Sequence, residues 1–332
     1  MKSESKPTEA NHSSQMVWQN AATCFESWLG QLESTRCEPR AVGQAVLLDA
    51  GVESAGGFEA GIWLARLCMS DLASIETMVC SPANYASSVG ISVRTDFPVL
   101  GCLASQYAGW PISVDSFFAM GSGSMRVARG REPMLEHLGL VATPHQGWLT
   151  GVLESDVMPD EKVVQEIASQ CGVKPEQMRL AIAPTSSLAG CIQVVARVVE
   201  TAMHKLHELG FDVETVRSAS GNAPICPPAK PGDMVGGIGR TNDAILYGGT
   251  VDLFVECDDD VINEVVDRVP SSASDDHGRP FAQTFKSYDY DFYKVDPMLF
   301  SPAIVNMHSL KTGRSYSAGT ILPELLRESF SS

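Results

Sequence analysis

The chain has 332 residues, of which 44% are hydrophobic and 19% are charged, a composition typical of folded globular proteins. Its formal net charge of −16 disfavours nucleic acid as a partner, because nucleic-acid binding usually depends on a basic surface. No run of about 20 apolar residues occurs, so we expect no transmembrane helix and no membrane partner. The polar N-terminal residues lack the apolar core of a signal peptide, which predicts a cytoplasmic protein.

In chain order, the pattern predicts a flexible tail over residues 1–18 and then alternating helices and strands. We expect helices over residues 21–32, 58–69 and 159–171, and one long helix that starts near residues 184–187 and stops at Gly210. Short buried strands are expected over residues 45–49, 91–95, 151–156 and 179–183. Residues 270–280 have the composition of a loop, either a lid or a connector.

This alternation predicts an α/β fold. The length favours two domains, which we expect over residues 19–150 and 151–332. As an alternative, the C-terminal segment packs back on the first domain. The nine cysteines indicate neither a disulfide framework nor a zinc site, since their number is odd and no two have C-x-x-C spacing. We expect them to be small core residues.

The long helix after residue 187 carries a stripe of polar side chains on an otherwise apolar surface. The stripe consists of Gln193, Arg197, Glu200 and His204, whose spacing places them on one helix face. An isolated buried charge is costly, so we expect Arg197 to pair with Glu200 and keep it ionised. From the residues alone, this pair is explained equally well as a structural ion pair or as a catalytic one.

Glycine and acidic residues mark two further segments. Gly121, Ser122 and Gly123, followed by Arg126, could hold an anion through backbone N–H groups, although spacing alone favours a plain turn. Glu154 follows a predicted strand, where carboxylates often belong to sites, and a loop cap is the simpler interpretation.

Another glycine-rich run precedes Arg240 and continues into Asn242, Asp243 and Tyr247. It is either a tight connection into a helix or the wall of a pocket. His204 and His207 are three residues apart and do not form an H-E-x-x-H metal motif, so we expect surface histidines at the exposed end of their helix.

Six segments, in order along residues 45–325, together resemble the methenyltetrahydromethanopterin cyclohydrolase family. They are residues 103–110, 117–124, 183–190, 197–201, 239–249 and 289–294. The resemblance implies two α/β domains with a substrate pocket between them and a homotrimer. It also implies a pterin one-carbon substrate, a role in one-carbon metabolism such as formaldehyde oxidation, and neither a metal nor a cofactor.

The family's catalytic pair falls on Arg197 and Glu200, by the match to Arg-Val-Val-Glu. The resemblance implies that water adds to a cationic methenyl carbon and that the ring opens to the N5-formyl product, with Glu200 as general base and then acid. It further implies substrate contacts at Gly121, Ser122, Gly123, Arg126, Glu154, Thr185, Gln193, Arg240, Asn242, Asp243 and Tyr247. The alternatives are a non-catalytic pterin-binding protein and another folate or pterin one-carbon enzyme.

Overall fold

The structure is a computed structural model that describes residues 6–106, 110–140, 147–291 and 294–331, with side chains from residue 13 onward. The strands, in chain order, are β1 (Glu38–Val42), β2 (Ala45–Asp49), β3 (Ser74–Val79), β4 (Val89–Thr95), β5 (Trp110–Val114), β6 (Phe117–Ser122), β7 (Leu149–Glu154), β8 (Met178–Ala183), β9 (Val216–Pro224), β10 (Thr250–Val255), β11 (Ile304–Ser309) and β12 (Ser315–Gly319).

The α-helices, in chain order, are α1 (Lys6–Leu29), α2 (Leu32–Thr35), α3 (Phe58–Cys68), α4 (Pro82–Tyr85), α5 (Ser124–Arg129), α6 (Pro133–His137), α7 (Glu161–Gln170), α8 (Leu188–Val195), α9 (Val198–Glu208), α10 (Met234–Gly248), α11 (Asp259–Val265), α12 (Phe281–Ser287) and α13 (Pro323–Ser331). Residues Val99–Ala104 form a short π-helix. Within the described ranges, no helix is both long enough and apolar enough to span a bilayer.

The chain divides into two compact units, and each is built from two separate stretches of sequence. The first unit contains Met1–Ala73 and Leu100–Pro184, and the second contains Ser74–Val99 and Thr185–Ser332. Each unit has a six-stranded mixed sheet together with helices, so the predicted α/β fold is confirmed.

The sheet of the first unit has the strand order β1-β2-β8-β7-β6-β5. The pairs β2–β8 and β8–β7 are parallel, while the outer pairs are antiparallel. Strands β2 and β8 are buried almost throughout, as expected for parallel strands in the middle of a sheet. Both were predicted, as were β7 and β4 with small shifts at their ends.

The sheet of the second unit has the strand order β12-β11-β10-β9-β4-β3. Its one parallel pair among the described strands is β10–β11. Helices α9 and α10 pack against this sheet, α9 over β9 and β10. The sheet of the second unit therefore supports α9 and α10, which follow one another along the chain.

The predicted division at residue 150 does not coincide with the division between the sheets. Strands β7 and β8, after residue 148, belong to the first sheet, whereas the hairpin β3–β4, before residue 96, belongs to the second. The C-terminal elements β11, β12 and α13 lie in the second unit, and α13 packs on α10 there.

The predicted flexible tail is wrong for residues 6–18, because helix α1 begins at Lys6. Val17, Trp18, Ala21, Phe25 and Trp28 recur at helical spacing and are buried, and the helix packs on α3 and β7. This apolar stripe packs residues 17–28 of the helix against the first unit. Residues 1–5 of the predicted tail lie outside the described residues.

The nine cysteines are all buried free thiols, in agreement with their prediction as core residues. Burial raises the pKa of Cys24 and of Cys171 to about 12. Both thiols therefore stay protonated at neutral pH and behave as small apolar groups.

Candidate active site

The ends of the long predicted helix are where the sequence indicated. Ser187 precedes α8, and its side-chain oxygen accepts a hydrogen bond from the N–H of Gly190 at 3.0 Å. This contact satisfies one of the N–H groups that a helix leaves free at its start. At the other end α9 stops before Gly210, whose φ of 78° suits glycine.

The interior of that helix is different, because the chain forms two helices with a break between them. Helix α8 ends at Val195 and α9 begins at Val198, with Arg197 as the N-cap residue of α9. The N–H of Arg197 donates to the carbonyl of Val194, three residues back, instead of continuing the α-helical pattern. The single continuous stripe predicted from spacing is therefore divided between two helices.

Arg197 and Glu200 form the predicted ion pair across the first turn of α9. The Nε of Arg197 donates to the Oε2 of Glu200 at 3.1 Å. The Glu200 side chain is buried, and its position in the first turn places it near the positive end of the helix dipole. The pair thus holds a buried carboxylate between a guanidinium and a helix N-terminus.

A glycine in strand β9 allows the start of α9 to approach the sheet. A Cβ added at Gly221 would lie 2.7 Å from the Cγ2 of Val199 and 2.8 Å from the Cγ1 of Val198. These two valines lie between Arg197 and Glu200 in the sequence. The absence of a side chain at Gly221 therefore determines how close the Arg197–Glu200 pair lies to the sheet. Sequence reasoning missed this residue, although a glycine inside a strand often marks such a close approach.

A second close approach connects the glycine-rich run with Thr185. A Cβ added at Gly237, in the first turns of α10, would lie 2.9 Å from the carbonyl carbon of Thr185 and 3.0 Å from the N of Ser186. The run is therefore the start of a helix that packs on the segment leading into α8. Thr185 is buried there, and its contact with a substrate stays a prediction.

Gln193 and His204 lie on either side of the ion pair along the chain. Gln193 is buried on α8. The prediction of an exposed His204 is wrong, since this side chain is only 12% exposed, with Nε2 3.5 Å from the Oε1 of Glu208. Burial lowers the pKa of His204, while the charges of Glu200 and Glu208 act in the opposite direction.

Asp243 and Tyr247, one turn apart on α10, are fully buried and bind the backbone at the start of α12 and just before it. The Oδ1 of Asp243 accepts a hydrogen bond from the N–H of Phe281 at 2.8 Å. The hydroxyl of Tyr247 donates to the carbonyl of Arg279 and accepts from the N–H of Gly278. These bonds anchor the segment 278–281, which favours the connector interpretation of residues 270–280, and substrate contact by either side chain stays a prediction.

Arg240 and Asn242 are half-buried on the same helix. The Nη1 of Arg240 donates to the carbonyls of Pro227 and Pro228, at 3.3 and 3.0 Å, in the segment that follows β9. The Nδ2 of Asn242 donates to the carbonyl of Ile238 within its own helix, at 2.8 Å. Each contact supports the local backbone, and the predicted substrate contacts stay predictions.

In the first unit, the turn between β6 and α5 already uses polar groups that an anion would need. The N–H of Gly123 donates to the carbonyl of Ser105 at 2.8 Å, and the hydroxyl of Ser122 lies 3.0 Å from the Sγ of Cys68. A Cβ added at Gly121 would lie 2.8 Å from two side-chain carbons. These contacts favour the plain-turn interpretation over the anion cradle.

Arg126 is buried beside this turn and is held by groups of its own unit. Its Nη2 lies 2.8 Å from the Oε1 of Glu132, and its Nη1 donates to the carbonyl of Gln106 at 3.1 Å. The guanidinium is thus neutralised by a carboxylate that sequence reasoning did not single out. Its predicted contact with substrate stays a prediction.

Glu154 is the last residue of β7 and lies half-buried beside Ala183, the last residue of the parallel strand β8. The carboxyl edge of parallel strands is a frequent location of site residues. Two of the six motif segments include residues 107–109 and 292–293, which lie outside the described residues. In the part of the chain that the structure describes, no three His, Cys, Asp or Glu side chains form a group suited to a metal ion.

Comparisons with known proteins identify close relatives over nearly the whole chain. A sequence model of the family described as cyclohydrolase (MCH) matches residues 17–330. A protein of Rhodopirellula baltica named methenyltetrahydromethanopterin cyclohydrolase is 54% identical, and the match covers 94% of this chain and 93% of the relative. Proteins with the same name from Methylobacillus flagellatus and Methanosarcina mazei are each 44% identical, with 86% of this chain matched and 86% and 88% of the relatives.

Proposed function

The chain belongs to the cyclohydrolase (MCH) family and is a hydrolase, and on that premise we propose that it hydrolyses N5,N10-methenyltetrahydromethanopterin to the N5-formyl form. The family match extends over residues 17–330, and relatives from three organisms carry the name of this activity. The observation that carries the chemical part of the proposal is the buried carboxylate of Glu200, held 3.1 Å from the Nε of Arg197.

The substrate carbon lies between two nitrogens that share a positive charge, so it is already electrophilic. Hydrolysis then needs a proton acceptor for the attacking water and a proton donor for the leaving nitrogen, and one carboxylate can serve as both in sequence. Glu200 performs these two transfers in the proposed mechanism. Arg197 orients Glu200 and limits the attraction between a bare carboxylate and the cationic ground state, which would otherwise be bound too tightly for catalysis.

The proposal has further parts that follow from the family resemblance. The reaction is reversible and belongs to one-carbon metabolism such as formaldehyde oxidation, it needs neither a metal nor a cofactor, and the enzyme is a cytoplasmic homotrimer. Size-exclusion chromatography with light scattering tests the trimer. Turnover by protein treated with a chelator tests the independence from metal.

The central experiment compares the wild type with Glu200→Gln, using the absorbance of the methenyl substrate. Loss of the general base is expected to reduce kcat by about 100-fold or more, while substrate binding and Tm stay close to those of the wild type. Glu264→Gln, an exposed change on α11, is the matched control and should behave like the wild type. Turnover of Glu200→Gln within a few-fold of the wild type would exclude the proposed mechanism, and saturable binding without loss of absorbance in the wild type would indicate a carrier protein.

A further inference from the structure

The proposed reaction, on which this inference rests, must release a proton in every turnover. Water forms a C–O bond to the methenyl carbon and loses one proton to Glu200, which gives a neutral hydroxyl adduct. The C–N bond then breaks with its electron pair passing to the nitrogen, which takes up a proton, while the hydroxyl loses its proton to become the formyl carbonyl. Two protons leave oxygen and one reaches nitrogen, so the conversion of a cation and water to a neutral product leaves one proton over.

That proton arises beside a buried side chain. Because Glu200 can carry one proton at a time, the carboxyl must pass it on before the next water can be activated. A route from Glu200 toward solvent through groups that can accept and release protons would serve this need.

Helix α9 carries such groups in a row. Glu200, His204 and Glu208 are spaced four residues apart, so they lie one above the other on one face, with about 5–6 Å between successive Cβ atoms. The exposed fraction of the side chain rises along the row, from 5% at Glu200 to 12% at His204 and 36% at Glu208. The row thus runs from the buried ion pair to the surface.

The middle member has the contacts that a relay needs. The Nε2 of His204 lies 3.5 Å from the Oε1 of Glu208, and the charge of Glu200, one helical turn earlier, also acts on the imidazole. Arg197 and His207 oppose these two carboxylates, and burial lowers the pKa of His204. An imidazole with a lowered pKa is neutral at neutral pH and can therefore accept a proton and release it again.

We propose that His204 relays the proton released at Glu200 to Glu208 and from there to solvent. His204 acts through Glu200 and does not touch the reacting carbon. The two nitrogens of one imidazole can accept on one side and donate on the other, so one ring can receive a proton from Glu200 and pass it on to Glu208.

The test measures kcat of His204→Gln in weakly buffered solution and again with added imidazole. Slow proton release is expected to lower kcat by about tenfold with KM nearly unchanged, and diffusible imidazole should restore much of the loss. His207→Gln makes the same exchange three residues away on the same helix and should resemble the wild type at both buffer concentrations. Glu208→Gln changes an exposed side chain and so keeps the fold, and it should show a smaller loss that imidazole also restores.

The outcomes separate this inference from the proposed function. If the wild type converts the substrate but His204→Gln and Glu208→Gln show no buffer-dependent loss, the relay is excluded and the general-base mechanism stands. A loss in His204→Gln that imidazole does not restore indicates a purely structural role and also excludes the relay. If His204→Gln does not fold, Glu208→Gln decides alone, and a wild type without turnover refutes the proposed function itself.

Discussion

Arg197 lies outside helix α9, at its N-cap, yet its Nε reaches the Oε2 of Glu200 inside the first turn at 3.1 Å. The Arg197 side chain therefore projects from the break between α8 and α9. The direction of this side chain depends on the conformation of the break and on how closely the start of α9 packs on the sheet. The break thus helps to position the carboxylate of Glu200.

Replacing Arg197 should affect turnover more than stability. Arg197→Lys keeps the positive charge but lacks the planar group whose Nε contacts Glu200, so the carboxylate loses its fixed orientation. We expect kcat to fall by about tenfold or more, because small displacements of a reacting group are costly. Arg217→Lys, at an exposed ion pair with Glu256, is the control for the exchange itself. Equal kcat values for Arg197→Lys and the wild type would show that a positive charge alone suffices.

Adding a methyl group at Gly221 should displace the start of α9. The new Cβ would overlap the side chains of Val198 and Val199, at 2.8 and 2.7 Å. We expect Gly221→Ala to lower the free energy of unfolding by about 1–3 kcal/mol, as other overpacked sites do. Its kcat should fall as well, since Arg197 and Glu200 move with the two valines.

Urea unfolding and steady-state kinetics of the same preparation measure both effects of Gly221→Ala. Ser220→Ala, the neighbouring change on the opposite face of β9, should leave both quantities near the wild-type values. A Gly221→Ala protein with normal kcat would mean that the positions of Arg197 and Glu200 do not depend on the close contact between Gly221 and α9.

The buried carboxyl of Asp243 should make stability fall as pH rises. Burial raises its pKa to about 7 from an ordinary value of 3.8, and Glu328 adds to this shift, while bonds from Ser329 and Phe281 oppose it. The unfolded chain therefore loses this proton at lower pH than the folded one. Its contribution to stability is full below about pH 4, is lost between pH 4 and 7, and changes no further above that range.

Asp243→Asn has no proton to lose, so its stability should not show this loss. Tm measured at pH 5 and pH 8 should fall less between the two values than in the wild type, and the variant should be the more stable protein at pH 8. The same pH dependence in both proteins would assign the effect to another group.

Asp49 should respond to pH in the opposite sense. Burial would raise the pKa of its carboxyl, but N–H groups of Gly51, Val52, Glu53 and Ser54 donate to its two oxygens at 2.8 to 3.1 Å, so the pKa is lowered below 3.8. The resulting stabilisation is present above the unfolded pKa and is lost as pH falls through the folded one.

Asp49→Asn replaces one accepting oxygen by an amide donor that faces N–H groups. We expect a loss of about 2–4 kcal/mol in the free energy of unfolding at pH 7, with a smaller difference from the wild type near pH 3. Glu53→Gln, an exposed change in the same turn, serves as the control in chemical unfolding at both pH values. A destabilisation that does not depend on pH would argue against an ionised Asp49.

The parts of the fold predicted from sequence are those with a local signal. Strands β2 and β8 are short apolar runs, and the start of α8 has a capping serine at residue 187, so their positions followed from a few neighbouring residues. The Arg197–Glu200 contact was predicted for the same reason, since i and i+3 side chains meet across one helical turn.

The parts that were not predicted depend on distant residues. The break at residues 196–197 contains neither glycine nor proline, and the polar stripe is compatible with one continuous helix. The division between the units follows from strand pairings such as Gly90 with Pro224, which no pattern in the neighbouring sequence indicates. The low exposure of His204 likewise depends on tertiary packing, which no neighbouring residue indicates.

The interleaved assembly of the two units has a consequence for synthesis on the ribosome. Strands β3 and β4 are made early but must wait for β9, which follows the whole remainder of the first unit. Until then the hairpin presents an unpaired strand edge, the kind of surface on which nascent chains aggregate. The first sheet is likewise incomplete until β8 has been synthesised. Each unit therefore completes its sheet only after part of the other unit has been made.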